Sequence, residues 1–206
     1  MPCLLPRPLH VQRLTTLEVL GASGDLAKKK TYPALFALYC FGLLPKHAHI
    51  VGYARSELSM PQLRERIEPA CKNVCAEQHL FDGFFERCDY FAGGYDSEES
   101  FKGLAKKLDH IEEQEAANRM FYLAVPPSVF HPAAKAFQPS CFSTSGWNRV
   151  VVEKPFGHDS ESSKELVKNL ASVLKEEEVR PLLGVGSLFT NLRLPVGRMG
   201  AACVSV

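Results

Sequence analysis

The sequence predicts an α/β fold built on a doubly wound, mostly parallel β-sheet. Segments with strand-like and helix-like apolar spacing alternate along the chain, and this order favours a parallel sheet with helices on both faces. Two of the strand segments are almost wholly apolar, as strands covered on both faces are. A glycine turn joins the first strand to the first helix, where such sheets bind their ligands.

The first two strands and the helix between them follow from apolar runs and turn residues. A strand over 17–20 leads into the glycine turn, and a helix over 26–41 follows. Pro33 either kinks that helix or opens its second part as a first-turn proline after Thr31. Residues 49–54 predict the second strand.

The middle of the chain predicts a helix, a short strand and another helix. The helix over 61–77 contains Pro69 but places five apolar residues on one face: Leu63, Ile67, Cys71, Val74 and Cys75. A strand over 89–92 precedes two glycines. Asp96 is then predicted to cap a helix, with Glu99 completing a capping box.

The last predicted elements are two buried strands and a charged helix. Residues 120–125 form an apolar strand that Pro126 and Pro127 end, and residues 150–152 repeat its character. Asp159 or Ser160 then caps a helix that ends near Val179, with an apolar stripe of Leu166, Val167, Leu170, Val173 and Leu174.

Composition excludes several classes of function. The formal net charge of +1 gives no overall attraction to nucleic acid or to an anionic membrane, and no apolar run is long enough to span a bilayer. The seven scattered cysteines lack the paired spacing of a zinc site, so we expect reduced thiols and no metal. His47 and His49 are interpreted as part of a loop before the second strand.

The two ends differ in composition from the rest of the chain. Residues 1–17 are basic, proline-containing and free of acids, and we expect a disordered leader. We therefore expect a cytoplasmic protein, with a plastid protein as the alternative if this leader is the remnant of a transit segment. Residues 180–206 contain no Asp, Glu, Lys or His and are expected to be a disordered or loosely packed tail. The folded domain is predicted over 18–179.

The glycine turn is the first candidate site. A phosphate approaching the start of a helix needs backbone N–H donors and no side chain in its way. Gly21 and Gly24 meet this need, Lys28 lies just inside the helix, and the residues between them are Ala22, Ser23, Asp25, Leu26 and Ala27. The turn does not have the full Gly-x-Gly-x-x-Gly pattern, so a purely structural turn remains open on these residues alone.

Three further side chains follow strand ends or lie near them. Arg55 directly follows the second strand, where an arginine suits the 2′-phosphate of NADP and an acid would suit NAD. Tyr122 lies in the fourth strand and Lys154 follows the fifth. Such a lysine would place a positive charge and three donors near a nicotinamide or a phosphate. The alternatives are a surface arginine, a core tyrosine and a solvated lysine.

Four blocks in order, GASGDLAKKK, IVGYARS, FYLAVPP and VVEKPFG, resemble the coenzyme domain of glucose-6-phosphate dehydrogenases. The resemblance covers about residues 18–179 and implies a Rossmann-like NADP-binding domain. It implies that residues 21–28, Arg55 and Tyr122 bind NADP and that Lys154 contacts both NADP and glucose 6-phosphate. The family oxidises C1 of that sugar phosphate to 6-phosphogluconolactone, at the entry to the pentose phosphate pathway, with a histidine base.

The chain departs from the family after Val179. Where the resemblance implies Arg-Ile-Asp-His-Tyr-Leu-Gly-Lys, the sequence has Arg-Pro-Leu-Leu-Gly-Val-Gly. We therefore expect a form truncated before the catalytic residues, which lacks the second, substrate domain. The resemblance implies that full-length family members form homo-oligomers. No catalytic residue is assigned, and His158 is given no role. Glu18 interrupts a strand that should be apolar, which puts the first residues of the domain in doubt.

Two other interpretations remain open at this stage. The chain could be a non-catalytic module that binds NADP or associates with full-length subunits. It could also be a dehydrogenase of the inositol or glucose–fructose type, which shares the Glu-Lys-Pro strand end seen at 153–155. That type usually has a Gly-x-Gly turn, which this chain lacks.

Overall fold

A parallel sheet of six strands organises the described part of the protein. The computed structural model describes residues 13–113, 116–153, 168–175 and 177–182. Neighbouring strands are all parallel in the order β3-β2-β1-β4-β5-β6, so the predicted fold class is confirmed. The strands are β1 (Thr15–Leu20), β2 (Ala48–Ala54), β3 (Cys88–Ala92), β4 (Asn118–Leu123), β5 (Asn148–Glu153) and β6 (Val179–Leu182).

The helices connect successive strands, as parallel pairing requires. A π-helical segment (Ala27–Thr31) leads directly into the first α-helix. The α-helices are α1 (Tyr32–Cys40), α2 (Met60–Lys72), α3 (Gln78–Phe85), α4 (Glu98–Ile111) and α5 (Pro127–Cys141). Thr31 is the N-cap of α1 and Pro33 lies in its first turn. Of the two predicted roles of Pro33, the first-turn role is therefore the one observed.

Each face of the sheet is covered by its own apolar cluster, because alternate residues of a strand point to opposite faces. The first-face cluster lies beneath α1, α2 and α3 and includes Leu17, Val19, Phe36, Ile67, Phe84 and Tyr122. The second-face cluster lies beneath α4 and α5 and includes Leu20, Tyr53, Phe101, Leu108, Phe121 and Phe137. Two-sided burial explains the apolar runs at 120–123 in β4 and 150–152 in β5.

The prediction of one helix over 61–77 was wrong in its extent. Helix α2 begins after Ser59, which forms a capping box with Gln62, continues past Pro69 and ends at Lys72. Val74, predicted on the buried face, is 44% exposed. A separate helix, α3, follows and buries Phe81 and Phe84. The capping box at Ser59 was the missed signal for the start of α2.

Two other helix predictions need correction. Ser97, not Asp96, caps α4, and its hydroxyl accepts a hydrogen bond from the Ser100 N–H at 3.1 Å. Helix α5 was not predicted at all, because three prolines obscure it. Its buried residues nevertheless recur at helical spacing: Phe130, Ala133, Ala134, Phe137 and Cys141.

The predicted domain boundaries cut through two strands. Strand β1 begins at Thr15, and the whole strand is buried, so three residues of the predicted leader are part of the sheet. The predicted helix ending near Val179 is wrong in that region. Helical residues occur at 168–171, and Val179 begins β6, which extends three residues into the predicted tail. Pro181 is tolerated because β6 pairs on one side only. The predicted caps Asp159 and Ser160 lie outside the described residues.

Glu18 occupies the middle of β1 and is fully buried. Neither of its carboxyl oxygens has a hydrogen-bond partner within the described part of the chain. Burial raises the pKa of Glu18 to about 8, because a charged carboxylate is poorly solvated there. The doubt that Glu18 cast on β1 is therefore resolved: the strand forms with a carboxylic acid in its interior.

Candidate functional site

The candidate site lies at the edge of the sheet where the parallel strands end, here called the carboxyl edge. The strand order reverses between β1 and β4, which are direct neighbours. Connections leaving two such strands go to opposite faces, so a crevice opens between them beyond their ends. The glycine turn follows β1 and therefore borders this crevice.

The glycine turn is fixed by close packing against the end of β4. Gly21 has a φ of 93°, a left-handed conformation that suits glycine. A Cβ at this position would lie 2.3 Å from the carbonyl oxygen of Ala124. The Gly21 N–H donates to the Tyr53 carbonyl at 2.8 Å, and the Gly24 N–H donates to the Gly21 carbonyl at 2.8 Å. No residue with a side chain fits position 21 without displacing the backbone.

The helix that follows the turn presents N–H groups to the crevice. Its first helical hydrogen bond joins the Lys28 N–H to the Gly24 carbonyl at 3.0 Å. The N–H groups of residues 25–27 precede this bond, so they have no carbonyl partner within the helix. They point beyond the helix start, where the helix dipole favours an anion.

The side chains of the glycine turn divide into packing and polar groups. Ala22 and Ala27 are buried, and Leu26 packs against the first-face cluster. Asp25 forms an exposed ion pair with Lys29 at 2.8 Å, and its hydrogen bond to Lys29 lowers the pKa of Asp25. Because Lys29 offsets this carboxylate, the acid in the turn is compatible with an anionic ligand.

Arg55 is exposed directly after β2, and β2 is hydrogen-bonded to β1. Its guanidinium carbon lies 5.7 Å from the centre of the Tyr95 ring. Among the described residues, no carboxylate forms a salt bridge with Arg55, although ten such pairs occur elsewhere. The guanidinium therefore retains its N–H donors for a ligand.

Polar contacts connect the segment after β2 with its neighbours. The hydroxyls of Ser23 and Ser56 lie 3.4 Å apart, which links the glycine turn to the segment that carries Arg55. The Tyr90 hydroxyl donates to the Ser56 carbonyl at 2.6 Å. Gly52 lets the glycine turn pack closely against β2, since a Cβ at position 52 would lie 2.9 Å from the Ala22 side chain. The turn and the end of β2 thus form one surface.

The other two predicted site residues, Tyr122 and Lys154, are not exposed beside the glycine turn in the way that Arg55 is: one is buried and the other is not described. Tyr122 lies in β4 between Val19 and Val151, is 3% exposed and belongs to the first-face cluster. Lys154 lies outside the described residues, as does His158. Glu153, the residue before Lys154 in the chain, ends β5, which pairs with β4. Ser56, Tyr90 and Tyr95 were not predicted from the sequence, although Tyr95 directly follows the two glycines after β3.

Other candidate chemistry in the described residues is structural. Cys40, Cys71, Cys75, Cys88 and Cys141 are free thiols, and no group of three or more potential metal ligands occurs within the described ranges. His49 lies in β2 and contacts Asp89 at 2.9 Å. No described helix is both long and apolar enough to cross a membrane.

Comparison with known proteins gives one consistent family. Residues 19–180 match the family described as "Glucose-6-phosphate dehydrogenase, NAD binding domain". The chain is similar to the chloroplastic glucose-6-phosphate 1-dehydrogenase of Nicotiana tabacum, at 46% identity over 80% of this chain and 28% of the relative. It is also similar to the Saccharomyces cerevisiae glucose-6-phosphate 1-dehydrogenase, at 44% identity over 84% of this chain and 35% of the relative. The chain spans about a third of the length of these relatives.

Solved structures give the same answer. A structure described as glucose-6-phosphate dehydrogenase in complex with its substrate glucose-6-phosphate is 41% identical, with a TM-score of 0.77 over 83% of this chain and 36% of that one. The glucose-6-phosphate 1-dehydrogenase of Mycobacterium avium is 31% identical, with a TM-score of 0.70 over 82% of this chain and 36% of that one. The fold and the order of its elements are therefore shared with these structures.

Proposed function

Because this chain belongs to the glucose-6-phosphate dehydrogenase family, we propose that it is an NADP-binding domain that grips the adenosine half of the coenzyme at its carboxyl edge. Family membership supports a nicotinamide dinucleotide as the ligand. It also decides against the inositol or glucose–fructose type of dehydrogenase. The preference for NADP over NAD is our proposal, and a single observation carries it: the exposed guanidinium of Arg55 has no salt-bridge partner among the described residues.

The glycine turn is proposed to bind the pyrophosphate. The N–H groups of residues 25–27 precede the first helical bond, and the glycines leave the turn open to a close approach of the ligand. Residues 21–28 act here mainly through the backbone, since Ala22 and Ala27 are buried. Lys28 adds positive charge inside the first turn.

Arg55 is proposed to bind the 2′-phosphate that distinguishes NADP from NAD. It follows the strand next to the glycine turn, where the adenosine ribose of a bound dinucleotide would lie. Its planar guanidinium can donate two parallel hydrogen bonds to a phosphate. The hydroxyls of Ser23 and Ser56, 3.4 Å apart beside it, are additional donors on the same surface.

Tyr122 and Lys154 complete the proposed set at the nicotinamide half. Tyr122 is nearly buried, so any contact with the coenzyme involves the small exposed part of its side chain. Lys154 follows β5 and is proposed to contact both the nicotinamide and the phosphate of glucose 6-phosphate. We propose that glucose 6-phosphate is the substrate of the full-length enzyme to which this domain corresponds.

Binding and turnover are separate properties of this chain. In the family reaction, hydride passes from C1 of glucose 6-phosphate to NADP while a histidine removes the hydroxyl proton. No described residue is assigned to that base, so our proposal for these residues is coenzyme binding alone. We also propose a location in the cytoplasm. Association with full-length subunits is a further property to be tested by co-purification.

Measurement of NADP and NAD affinities on one protein preparation tests the proposal. Arg55→Ala should weaken NADP binding by about 1.5–3 kcal/mol, the contribution of a charged hydrogen bond, and should leave NAD binding almost unchanged. Isothermal titration calorimetry gives both dissociation constants. Sustained reduction of NADP by the purified chain with glucose 6-phosphate would show that its residues also supply the base.

A matched control exists on another part of the sheet. Arg87 precedes β3 and its guanidinium carbon lies 5.0 Å from the centre of the Tyr39 ring, so it resembles Arg55 in chemistry but lies at the opposite end of the strands. Arg87→Ala should leave the ratio of NADP to NAD affinity unchanged. An equal ratio in wild type and Arg55→Ala would remove Arg55 from the site.

A further inference from the structure

Tyr95 lies under the guanidinium of Arg55 although forty residues separate them in sequence. Tyr95 follows β3 in the segment before α4, and Arg55 follows β2. Because β2 and β3 are parallel neighbours, the segments that leave them emerge side by side. The guanidinium carbon is 5.7 Å from the centre of the Tyr95 ring, within the distance of a cation–π contact.

The Tyr95 ring is held from below by the second-face cluster. It contacts the ring of Tyr53 at a centroid distance of 5.9 Å, and Tyr53 is fully buried and stacked on Phe101 at 4.6 Å. The Tyr53 hydroxyl donates to the Gly94 carbonyl at 2.6 Å, directly before Tyr95. The ring is therefore a fixed support, whereas Arg55 is an exposed side chain with many rotamers.

The segment before Tyr95 is fixed by its backbone as well. The Gly93 N–H donates to the Ala54 carbonyl at 2.9 Å, so the residue before Arg55 and a residue shortly before Tyr95 are joined directly. A Cβ at Gly93 would lie 2.5 Å from the Tyr53 hydroxyl. The distance between the two segments is thus set by main-chain contacts and does not depend on the Arg55 side chain.

A ring beneath a guanidinium leaves the donors of that guanidinium free. The five N–H groups of arginine point outward in the plane of the group, while an aromatic ring covers its face. Contact with Tyr95 therefore restricts where Arg55 points without occupying the hydrogen bonds that a phosphate needs. A cation that is already oriented loses less conformational entropy when the phosphate binds.

We propose that Tyr95 is a positioning residue for coenzyme selectivity, which holds the Arg55 guanidinium in the place where the 2′-phosphate of NADP binds. This inference rests on the proposed function, because it assigns Arg55 to that phosphate. It assigns to Tyr95 an effect on NADP that is transmitted through Arg55 and has no counterpart for NAD.

The experiment compares Tyr95→Leu with Tyr95→Phe in the full chain. The probes are 2′,5′-ADP and 5′-AMP, which differ only in the 2′-phosphate, together with NADP and NAD. Tyr95→Leu should lower the ratio of 2′,5′-ADP to 5′-AMP affinity about two- to fivefold, the equilibrium effect of an exposed cation–π contact. Tyr95→Phe removes the hydroxyl, which also interacts with the Arg55 main chain, but it keeps the ring under the guanidinium and should keep the ratio.

A double-mutant cycle separates this inference from the proposed function. In the Arg55→Ala background, Tyr95→Leu should no longer change the ratio, because no guanidinium remains to be positioned. If Arg55→Ala lowers the ratio in the wild-type background and Tyr95→Leu alone does not, the positioning role is wrong and Arg55 keeps its assignment. If Arg55→Ala has no effect on the ratio, both assignments fail.

Two further outcomes also decide the matter. Equal weakening of 2′,5′-ADP and 5′-AMP by Tyr95→Leu would identify the ring as a support for the nucleoside and overturn the positioning role. A fraction of unfolded protein alters both apparent affinities alike, so the ratio is unaffected by it. If Tyr95→Leu does not fold, Tyr95→Met provides the same test, because its longer, unbranched side chain fills more of the space of the ring and is not aromatic.

Discussion

Arg55 and Arg119 illustrate two opposite uses of a cation in the same sheet. Arg55 is exposed at the end of β2, and its guanidinium carbon lies 5.7 Å from the centre of the Tyr95 ring. Arg119 lies in β4, is 4% exposed, and donates to both carboxyl oxygens of Glu112, to Asp109 and to the Cys141 carbonyl at 2.6–3.0 Å. Among the described residues, Arg55 has no salt-bridge partner, whereas Arg119 uses four of its five N–H donors.

Burial explains this difference. A guanidinium inside the protein must be paired, because an isolated charge loses its hydration without compensation. Although burial opposes its charge, the hydrogen bonds to Glu112 and Asp109 hold the pKa of Arg119 above its ordinary value. At the carboxyl edge, water solvates Arg55 until a ligand replaces it. Arg119 therefore serves stability, and Arg55 is available for binding.

The largest expected effect is a loss of stability when the buried pair of Arg119 and Glu112 is broken. Glu112→Ala leaves Arg119 without its principal partner in the interior, which should lower the free energy of unfolding by about 3–5 kcal/mol. Glu99→Ala, an exposed acid of α4, is the matched control and should change stability little. Urea denaturation measures both, and an equal stability of the two variants would show that Arg119 does not need Glu112.

A smaller loss is expected at the glycine turn, where backbone packing and binding coincide. Gly21→Ala places a Cβ 2.3 Å from the Ala124 carbonyl oxygen at a positive φ, which should cost about 3 kcal/mol. The displaced turn should also weaken NADP and NAD binding alike, since it contacts the part that they share. Gly42→Ala, at a positive φ with no neighbour within 4 Å of the added Cβ, isolates the conformational cost. If Gly21→Ala and Gly42→Ala lose equal free energy of unfolding, the close packing at Gly21 does not contribute to stability.

Glu18 provides a prediction about pH. Its folded pKa, about 8, lies above the ordinary value of 4.5, so the folded protein holds a proton that the unfolded chain releases. Its contribution to stability is therefore complete below pH 4.5 and is lost as the pH rises towards 8, by at most about 1.4 kcal/mol per pH unit. Glu18→Val should remove this slope and be more stable than wild type at pH 8.

The control for Glu18→Val is Glu18→Gln. Glutamine does not ionise, so the slope should vanish, but its amide remains buried without a partner and the stability gained with valine should not appear. Thermal unfolding of the three proteins between pH 5 and 8 provides the comparison. Parallel curves for wild type and Glu18→Val would mean that Glu18 is already ionised in the folded protein at pH 5, so that its pKa is not raised.

The smallest expected effect is that of Arg55→Ala on stability. An exposed side chain outside a buried network should change the free energy of unfolding by no more than about 0.5 kcal/mol. Together with a loss of NADP affinity, this result would separate binding from stability at the carboxyl edge. A loss as large as that of Glu112→Ala would mean that the contact with Tyr95 stabilises the fold.

Apolar alternation and turn residues predicted the sheet and most of its strands. The apolar residues of β4 and β5 reflect burial on both faces, which local sequence records directly. Helices α3 and α5 were missed because helix-breaking residues obscured short or irregular apolar stripes. Strand β6 was missed because four residues at an edge, one of them Pro181, carry almost no local signal.

The sequence by itself determined the fold class, the position of the glycine turn after β1 and the position of Arg55 after β2, because each depends on residue types that are contiguous in the chain. Only the tertiary structure decided that Tyr95 lies beneath Arg55 and that Glu18 lies buried with no hydrogen bond to its carboxyl oxygens among the described residues. These facts depend on which strands pair and which helices cover them. Strand pairing brings together residues that are distant in sequence, and local apolar periodicity does not predict which distant residues will meet.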